Sequence, residues 1–304
     1  MKALYTFDDL AARDVLDRGA ELPARLAVIG HPVAHSASPT MHQAAINHEG
    51  IAMRYIRLEI APGRLAEALD RLRALDFVGC NVTVPHKFDA LMACDQLDPG
   101  ARALGAVNTI AFAGDLIRGY NTDGPGFELA VRDEFGARLG EQKTMILGAG
   151  GGAGQALAAQ SVLAGVPLLV LANRSEEKLV ALLEHLRGLG GTSEIVAVAL
   201  DDPRLEELSC ECELVVNATS LGLKAGDRPV IRDEFLNAGQ RVYDTIYQPP
   251  VTPLLAAAAA RGCATANGLG MLLHQGALAF EHWFPGTHPL KLMREALNQS
   301  ISQA

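Results

Sequence analysis

The 304-residue chain is 49% hydrophobic and 20% charged, with a net charge of −9, which excludes wholesale disorder and gives length enough for two cores. So acidic a chain has little with which to neutralise a phosphate backbone, so no nucleic-acid partner is expected and any anion site must be assembled locally. Five cysteines without a CxxC pair, no apolar signal core in residues 1–10 and no apolar run near ~18 residues point to a cytoplasmic protein without disulfides or a membrane span.

Residues 1–22 read as an extra N-terminal helix and turn ending near Pro23. Apolar runs then alternate with amphipathic segments, as β-α units do. Strands are expected over 26–29, 55–60 and 77–84, with helices over 39–48, over 63–75 and from Pro85. Residues 107–111 and 116–118 flank Gly114-Asp115, a hairpin turn. A second series starts near Gly140. It has strands over 144–147, 168–172, 214–217 and 242–244, a glycine-rich turn over 148–154, and helices over 155–164 and 175–189. The helix over 271–284 has no strand after it and is expected to return to the first domain. The expected division is 1–122, completed by 268–304, around an inserted 123–267.

The turn Gly148-Ala149-Gly150-Gly151-Gly152-Ala153 lies between a strand and a helix and fits G-x-G-x-x-G/A, with Ala153 in the last place. Such a turn brings backbone N–H groups close to a pyrophosphate at a helix N-terminus. Glycine-rich turns also close strands for packing alone, and the strand-turn-helix setting favours the nucleotide. At the end of the next strand an NAD site usually carries an acid for the ribose hydroxyls. Here Asn173-Arg174-Ser175 stands instead, with Lys178 beyond it. Arg174 suits a 2′-phosphate, so NADP is expected. The bland alternative makes Arg174 a solvated charge facing Glu177.

Three segments place small polar groups where strands end. Ser36 and Ser38 precede a helix and suit a carboxylate, although Ser38 before Pro39 also looks like a plain N-cap. Asn81 and Thr83 share one strand face. Lys87 then falls in the first turn of a helix, where the macrodipole disfavours a cation; placement against local preference marks a candidate for proton transfer, the plain alternative being a surface lysine with no role. Asn121-Thr122-Asp123-Gly124, with Asn108 before it, is made of ordinary turn formers. His31 and His35 stand four apart without a third ligand, so no metal is expected.

Taken together these pieces resemble the shikimate dehydrogenase family. The segments are 29–39, 81–87 (Asn-Val-Thr-Val-Pro-His-Lys), 105–109, 121–124, 148–152, Asn173-Arg174, 217–222, 243–247 and 268–275 (Gly-Leu-Gly-Met-Leu-Leu-His-Gln). Nine motifs in order run from about Leu26 to the end, leaving only the N-terminal twenty-odd residues outside. The resemblance implies an α/β protein with an N-terminal α/β substrate domain, a Rossmann-type NADP-binding domain, and C-terminal helices returning to the first.

It further implies NADPH-dependent interconversion of 3-dehydroshikimate and shikimate in the aromatic amino-acid pathway, by a cytoplasmic monomer or homodimer. Carried over by position, Lys87 and Asp123 form the catalytic pair. Ser36 and Ser38 hold the substrate carboxylate with Tyr247 nearby, and Asn81, Thr83, Lys87, Asn108, Asp123 and Gln275 take the rest of the substrate. Gly148, Ala149, Gly150, Gly151 and Gly152 carry the pyrophosphate. Asn173, Arg174, Ser175 and Lys178 hold the adenosine phosphate end, and Thr245 and Gly268 the nicotinamide side. Two positions depart from the family pattern: Lys178, where relatives often carry Arg, and Thr245-Ile246, where many carry Met and Phe.

Three alternatives remain at this level. One is a quinate/shikimate dehydrogenase using NAD or NADP. A folate-pathway dehydrogenase explains neither the Ser-x-Ser nor the Asn-Thr-Asp-Gly segment. A non-catalytic nucleotide sensor has no need to keep both Lys87 and Asp123.

Overall fold

A computed structural model describes residues 2–301. The chain forms two compact units: one comprises the residues up to Thr122 and those from Leu273 on, the other Asp123–Leu272.

The first unit contains, in chain order, β1 (Tyr5–Thr6), α1 (Arg13–Leu16), β2 (Ala24–Gly30), α2 (Ser38–His48), β3 (Arg54–Glu59), α3 (Leu65–Ala74) and β4 (Gly79–Val82). It continues with α4 (Lys87–Ala93), β5 (Gln96–Leu97), α5 (Pro99–Leu104), β6 (Thr109–Ala113) and β7 (Leu116–Tyr120). Its seven strands lie in the order β1-β3-β2-β4-β6-β7-β5. The first four are parallel neighbours, and β6 runs antiparallel to both β4 and β7. The β6–β7 hairpin closes over Gly114, whose φ of 63° lies in the left-handed region that glycine tolerates without strain. Because β2 and β4 pair in register, Ile29 opposite Val82, the loops after both strands emerge at the same sheet edge. There the His31 amide donates to the Val84 carbonyl at 3.0 Å.

The N-terminal segment differs from the expected helix and turn. Only four residues, α1, are α-helical; a 3-10 turn (Phe7–Ala11) precedes them, and β1 adds a parallel edge strand beside β3. Aspartates and a short apolar run gave no clear period, so docking onto the sheet decided the conformation. Arg54 holds the segment down. Its guanidinium donates to Asp17 Oδ1 (2.7 Å), the Leu22 carbonyl (2.6 Å) and the Tyr5 hydroxyl (3.1 Å). Hydrogen bonds to charged groups contribute about 1.5–3 kcal/mol each. Arg54→Ala is therefore expected to raise the rate of tryptic cleavage after Arg13 or Arg18 by roughly 10- to 100-fold under native conditions, because local opening governs such cleavage. Rates equal to the wild type would show that the clamp contributes nothing.

The second unit holds α6 (Asp123–Phe135), β8 (Thr144–Leu147), α7 (Gly152–Ala164), β9 (Leu168–Asn173), α8 (Glu177–Gly188), β10 (Glu194–Ala199), α9 (Leu205–Glu211) and β11 (Leu214–Asn217). It is completed by β12 (Arg241–Asp244), α10 (Pro253–Ala260), β13 (Ala264–Ala266) and the start of α11 (Leu269–Trp283). The strands, ordered β10-β9-β8-β11-β12-β13, are all parallel. This is the doubly wound dinucleotide-binding arrangement, with its switch point between β8 and β11. The sheet is covered on both faces, so its strands read as apolar runs such as Leu168 to Ala172, all buried.

Helix α6 was hidden in the sequence. Its opening Asp-Gly-Pro-Gly reads as a turn, yet proline is tolerated in the first helical turn, where its missing N–H has no intrahelical partner to lose. From Leu273 on, α11 and α12 (Leu290–Ile301) belong to the first unit, where the Trp283 indole donates to the Ile110 carbonyl at 2.8 Å and α12 packs on α2. No helix among the described residues is long and apolar enough to cross a membrane.

Candidate active site

In the first unit the polar residues singled out above gather at one sheet edge. Ser38 is the first residue of α2 and Ala37 its cap, so Ser38 does not serve as the N-cap. Its amide donates to Ser36 Oγ at 3.3 Å, and Arg57 grips the Ser36 carbonyl through Nε (3.0 Å) and Nη2 (2.8 Å). That grip fixes the loop carrying both hydroxyls, and among the described residues nothing occupies the Ser38 hydroxyl. Thr83 lies one residue past β4, where its amide still bonds the Ile29 carbonyl at 2.8 Å.

Behind these groups runs a chain of buried amides and hydroxyls. Asn81 Nδ2 donates to Thr109 Oγ1 (3.1 Å), and Thr109 Oγ1 donates to Asn108 Oδ1 (3.1 Å). Asn108 Nδ2 in turn donates to Thr122 Oγ1 (2.9 Å) and Gln275 Oε1 (3.4 Å). The Thr122 amide returns a bond to Asn108 Oδ1 at 2.8 Å. Asn108 thereby anchors the residue immediately before Asp123, which is itself buried and opens α6. A carboxylate at a helix N-terminus is well placed for the macrodipole. Lys87 opens α4 as expected, and its carbonyl accepts from Val107, the neighbour of Asn108, at 3.1 Å. The adjacent His86 ring is wholly buried and bonds the Ile60 carbonyl through Nε2 at 2.7 Å.

Beneath this layer lies an aromatic one. His42, one turn after Ser38 on α2, is wholly buried and stacks on Tyr55 with centroids 4.5 Å apart and planes 4° apart, with Trp283 tilted against it at 5.4 Å. Burial pulls the imidazole pKa down to about 3, against a smaller opposing effect of the neighbouring Asn81 side chain. The folded state therefore keeps His42 neutral while the unfolded chain takes up a proton near pH 6.5. The stability His42 provides is full above pH 6.5 and is lost as pH falls from there towards 3, at up to about 1.4 kcal/mol per pH unit. His42→Phe, which keeps a ring in the stack, is expected to flatten this slope in urea titrations between pH 6.5 and 4. An unchanged slope would mean that His42 is protonated in the fold.

In the second unit the glycine-rich turn follows β8. Gly148 has a φ of 84°, and a Cβ there would lie 2.5 Å from Thr219 Cγ2, on the far side of the switch point. A Cβ at Gly154 would run into the Gly148 carbonyl. Close helix-strand approach thus depends on Gly154, one residue beyond the Ala153 read as the last place of the motif. Helix α7 begins at Gly152, earlier than the expected 155. As at any helix start, its first-turn N–H groups lack intrahelical acceptors and are available to an anion.

Asn173 ties this turn to the loop after β9: its Oδ1 accepts from the Gly150 amide (3.3 Å) and its Nδ2 donates to the Ser175 carbonyl (2.8 Å). Ser175 Oγ donates to Glu177 at 3.0 Å. Arg174 is exposed, and among the described residues no hydrogen bond or ion pair engages its guanidinium. The pairing of Arg174 with Glu177 is not what the structure shows. The stem of Lys178 lies beside Gly150, where an added Cβ would come within 2.9 Å of the lysine Cβ. The cradle thus combines glycines at 148, 150 and 154 that have no room for side chains, open helix N–H groups and an unengaged cation, a donor set that fits a phosphorylated dinucleotide.

Thr245 follows β12, its amide bonded to the Asn217 carbonyl at 3.0 Å, and a Cβ at Gly268 would press on the Thr245 carbonyl. Asp244 supports this corner, accepting from Thr252 Oγ1 (2.6 Å), Asn217 Nδ2 (3.0 Å) and the Ile246 amide (3.0 Å); burial nonetheless holds its carboxyl above the usual range. Tyr247 sits in the loop after β12. Among the described residues no group of three His, Cys, Asp or Glu could hold a metal ion, and His31 Nδ1 instead faces Glu59 at 3.7 Å.

Sequence reading named Thr122 without giving it a role of its own, and missed His42 and Tyr55. Thr122 carried a signal within the Asn-Thr-Asp-Gly run, whereas the two rings belong to ordinary apolar-patterned segments.

Comparison with known proteins bears on the same residues. Residues 28–110 match the family model of the shikimate dehydrogenase substrate binding domain, and residues 268–297 that of the shikimate 5′-dehydrogenase C-terminal domain. The chain is 41% identical over 276 residues to a shikimate dehydrogenase (NADP(+)) of Symbiobacterium thermophilum, covering 89% of this chain and 92% of the relative. Among solved structures it is similar to the shikimate 5-dehydrogenase of Thermus thermophilus in complex with NADP(H) and shikimate, with a TM-score of 0.80, 35% identity, and 91% and 99% of the two chains covered. It is also similar to a quinate dehydrogenase of Corynebacterium glutamicum in complex with NAD, with a TM-score of 0.82 and 32% identity over 90% and 98%.

Proposed function

The chain belongs to the shikimate dehydrogenase family, and from that premise we propose that it catalyses the reversible NADPH-dependent reduction of 3-dehydroshikimate to shikimate in aromatic amino-acid biosynthesis. The observation that carries the cofactor half of this reading is Arg174, unengaged at the strand end where an NAD-binding chain carries an acid. The substrate half rests on the polar edge built from Ser38, Asn108, Thr122 and Gln275.

NADPH, when bound, supplies the hydride. All else falls to the chain's own groups. The Lys87 ammonium stabilises the negative charge that grows on the ketone oxygen and delivers the proton there. Asp123 accepts a hydrogen bond from a ring hydroxyl, and Asn81, Thr83, Asn108 and Gln275 hold the remaining polar groups of the ring. Ser36 and Ser38, with Tyr247, take the carboxylate. Gly148 to Gly152 receive the pyrophosphate, Asn173, Arg174, Ser175 and Lys178 the adenosine phosphates, and Thr245 and Gly268 line the nicotinamide side. Positioning of both reactants supplies the remainder of the acceleration. Five free cysteines accord with a reducing cytoplasm.

Likeness to a quinate dehydrogenase bound to NAD keeps quinate and NAD as the competing pair. A spectrophotometric assay of shikimate and quinate, each with NADP and NAD, separates them. The highest kcat/KM is expected for shikimate with NADP. A higher value for quinate, or for NAD, would transfer the assignment to the quinate/shikimate branch.

A further inference from the structure

We propose that Tyr55 is a positioning residue for the reaction, its hydroxyl holding the Asn81 carboxamide, and through it the neighbouring substrate-binding groups, in place. Tyr55 Oη donates to Asn81 Oδ1 at 2.7 Å, both residues being buried. A carboxamide has two nearly isosteric orientations that exchange its donor and acceptor ends, and only its partners choose between them. The Asn108 carbonyl, 3.4 Å from Asn81 Nδ2, can only accept, so Asn81 turns its nitrogen to that carbonyl and to Thr109 (3.1 Å) and leaves its oxygen for the phenol, which donates to it and holds the carboxamide in place.

The choice propagates. With its lone pair engaged by Asn81, the Thr109 hydroxyl donates onward to Asn108 Oδ1, which leaves Asn108 Nδ2 for Thr122 and Gln275. From the phenol to Asn108 the bonds run in one direction, and such series strengthen cooperatively; at Asn108 the series meets the Thr122 amide, which donates to the same oxygen at 2.8 Å and closes it. Burial also raises the Tyr55 pKa well above its ordinary value, so the head of the series stays a donor at any working pH. The His42 ring stacked 4.5 Å away fixes the plane of the phenol, and His42 shares α2 with Ser38. One buried pair therefore underlies both the hydroxyl and the amide parts of the site.

This inference rests on the reading of that site as a shikimate pocket. Turnover of shikimate with NADP by the wild type tests that reading first, and its failure appears before any variant is made. Tyr55→Phe keeps the stacked ring and removes only the hydroxyl. The KM for shikimate is expected to rise roughly 5- to 30-fold, the loss of one buried hydrogen bond and its unsatisfied partner, with kcat and the KM for NADP little changed. A structural role alone would lower Tm while leaving the shikimate KM where it is; that result, or a parallel rise in the KM for NADP, overturns the proposal. In an Asn81→Ser background, Tyr55→Phe is expected to add nothing to the shikimate KM, whereas full additivity would show that the phenol does not act through Asn81. Should the Asn81 variant fail to fold, the KM split of Tyr55→Phe decides alone.

Discussion

Lys87→Ala is expected to lower kcat for reduction of 3-dehydroshikimate by ~10²–10⁴-fold, the range that a positioned proton donor contributes. The KM for substrate should move far less, because the ammonium acts on charge that exists fully only in the transition state. The structural ground is its position. Lys87 opens α4, where the helix dipole opposes a cation, and its backbone is held to Val107 beside the buried Asn108. Steady-state kinetics in both directions, with folding checked by circular dichroism, make the measurement. Loss of substrate affinity with kcat intact would reduce Lys87 to a binding residue.

Arg174→Ala should be the largest single change in cofactor preference. A charge-assisted hydrogen bond contributes about 1.5–3 kcal/mol, so the KM for NADP is expected to rise roughly 10- to 100-fold. The KM for NAD, which lacks the 2′-phosphate, should not change. The exposed guanidinium engages no carboxylate among the described residues, so its removal leaves no buried charge stranded and the fold should be unaffected. Equal losses for both cofactors would place Arg174 against the adenine or ribose instead. A rise confined to NADP that Arg174→Lys only partly restores would point to the planar fork as the recognition element.

Much of the second unit was legible because its strands are apolar runs punctuated by glycine. The glycine-rich turn at 148–152 and the arginine in place of an acid at 174 are local signals whose meaning depends on neighbours within one β-α-β stretch. The pairs at 26–29 with 39–48 and 55–60 with 63–75 were legible for the same reason: each is an apolar strand followed by an amphipathic helix, and the structure places elements there. Helix α6 was not, since Gly124 and Pro125 disguise its first turn. Nor was the N-terminal segment, where β1 exists only because β3 offers it an open edge.

Residue types and local spacing by themselves made the family legible: a glycine-rich turn between strand and helix, an arginine where an acid usually stands, and a lysine placed against the helix dipole. Tertiary structure alone decided how the polar groups of the first unit point. Asn108 meets Gln275 across 167 positions and Asn81 meets Tyr55 across 26, and no local preference selects one face of a carboxamide over the other. That selection belongs to hydrogen-bond partners which only the folded chain brings within three ångströms or so of each other, in a buried layer where an unmatched donor costs too much to persist.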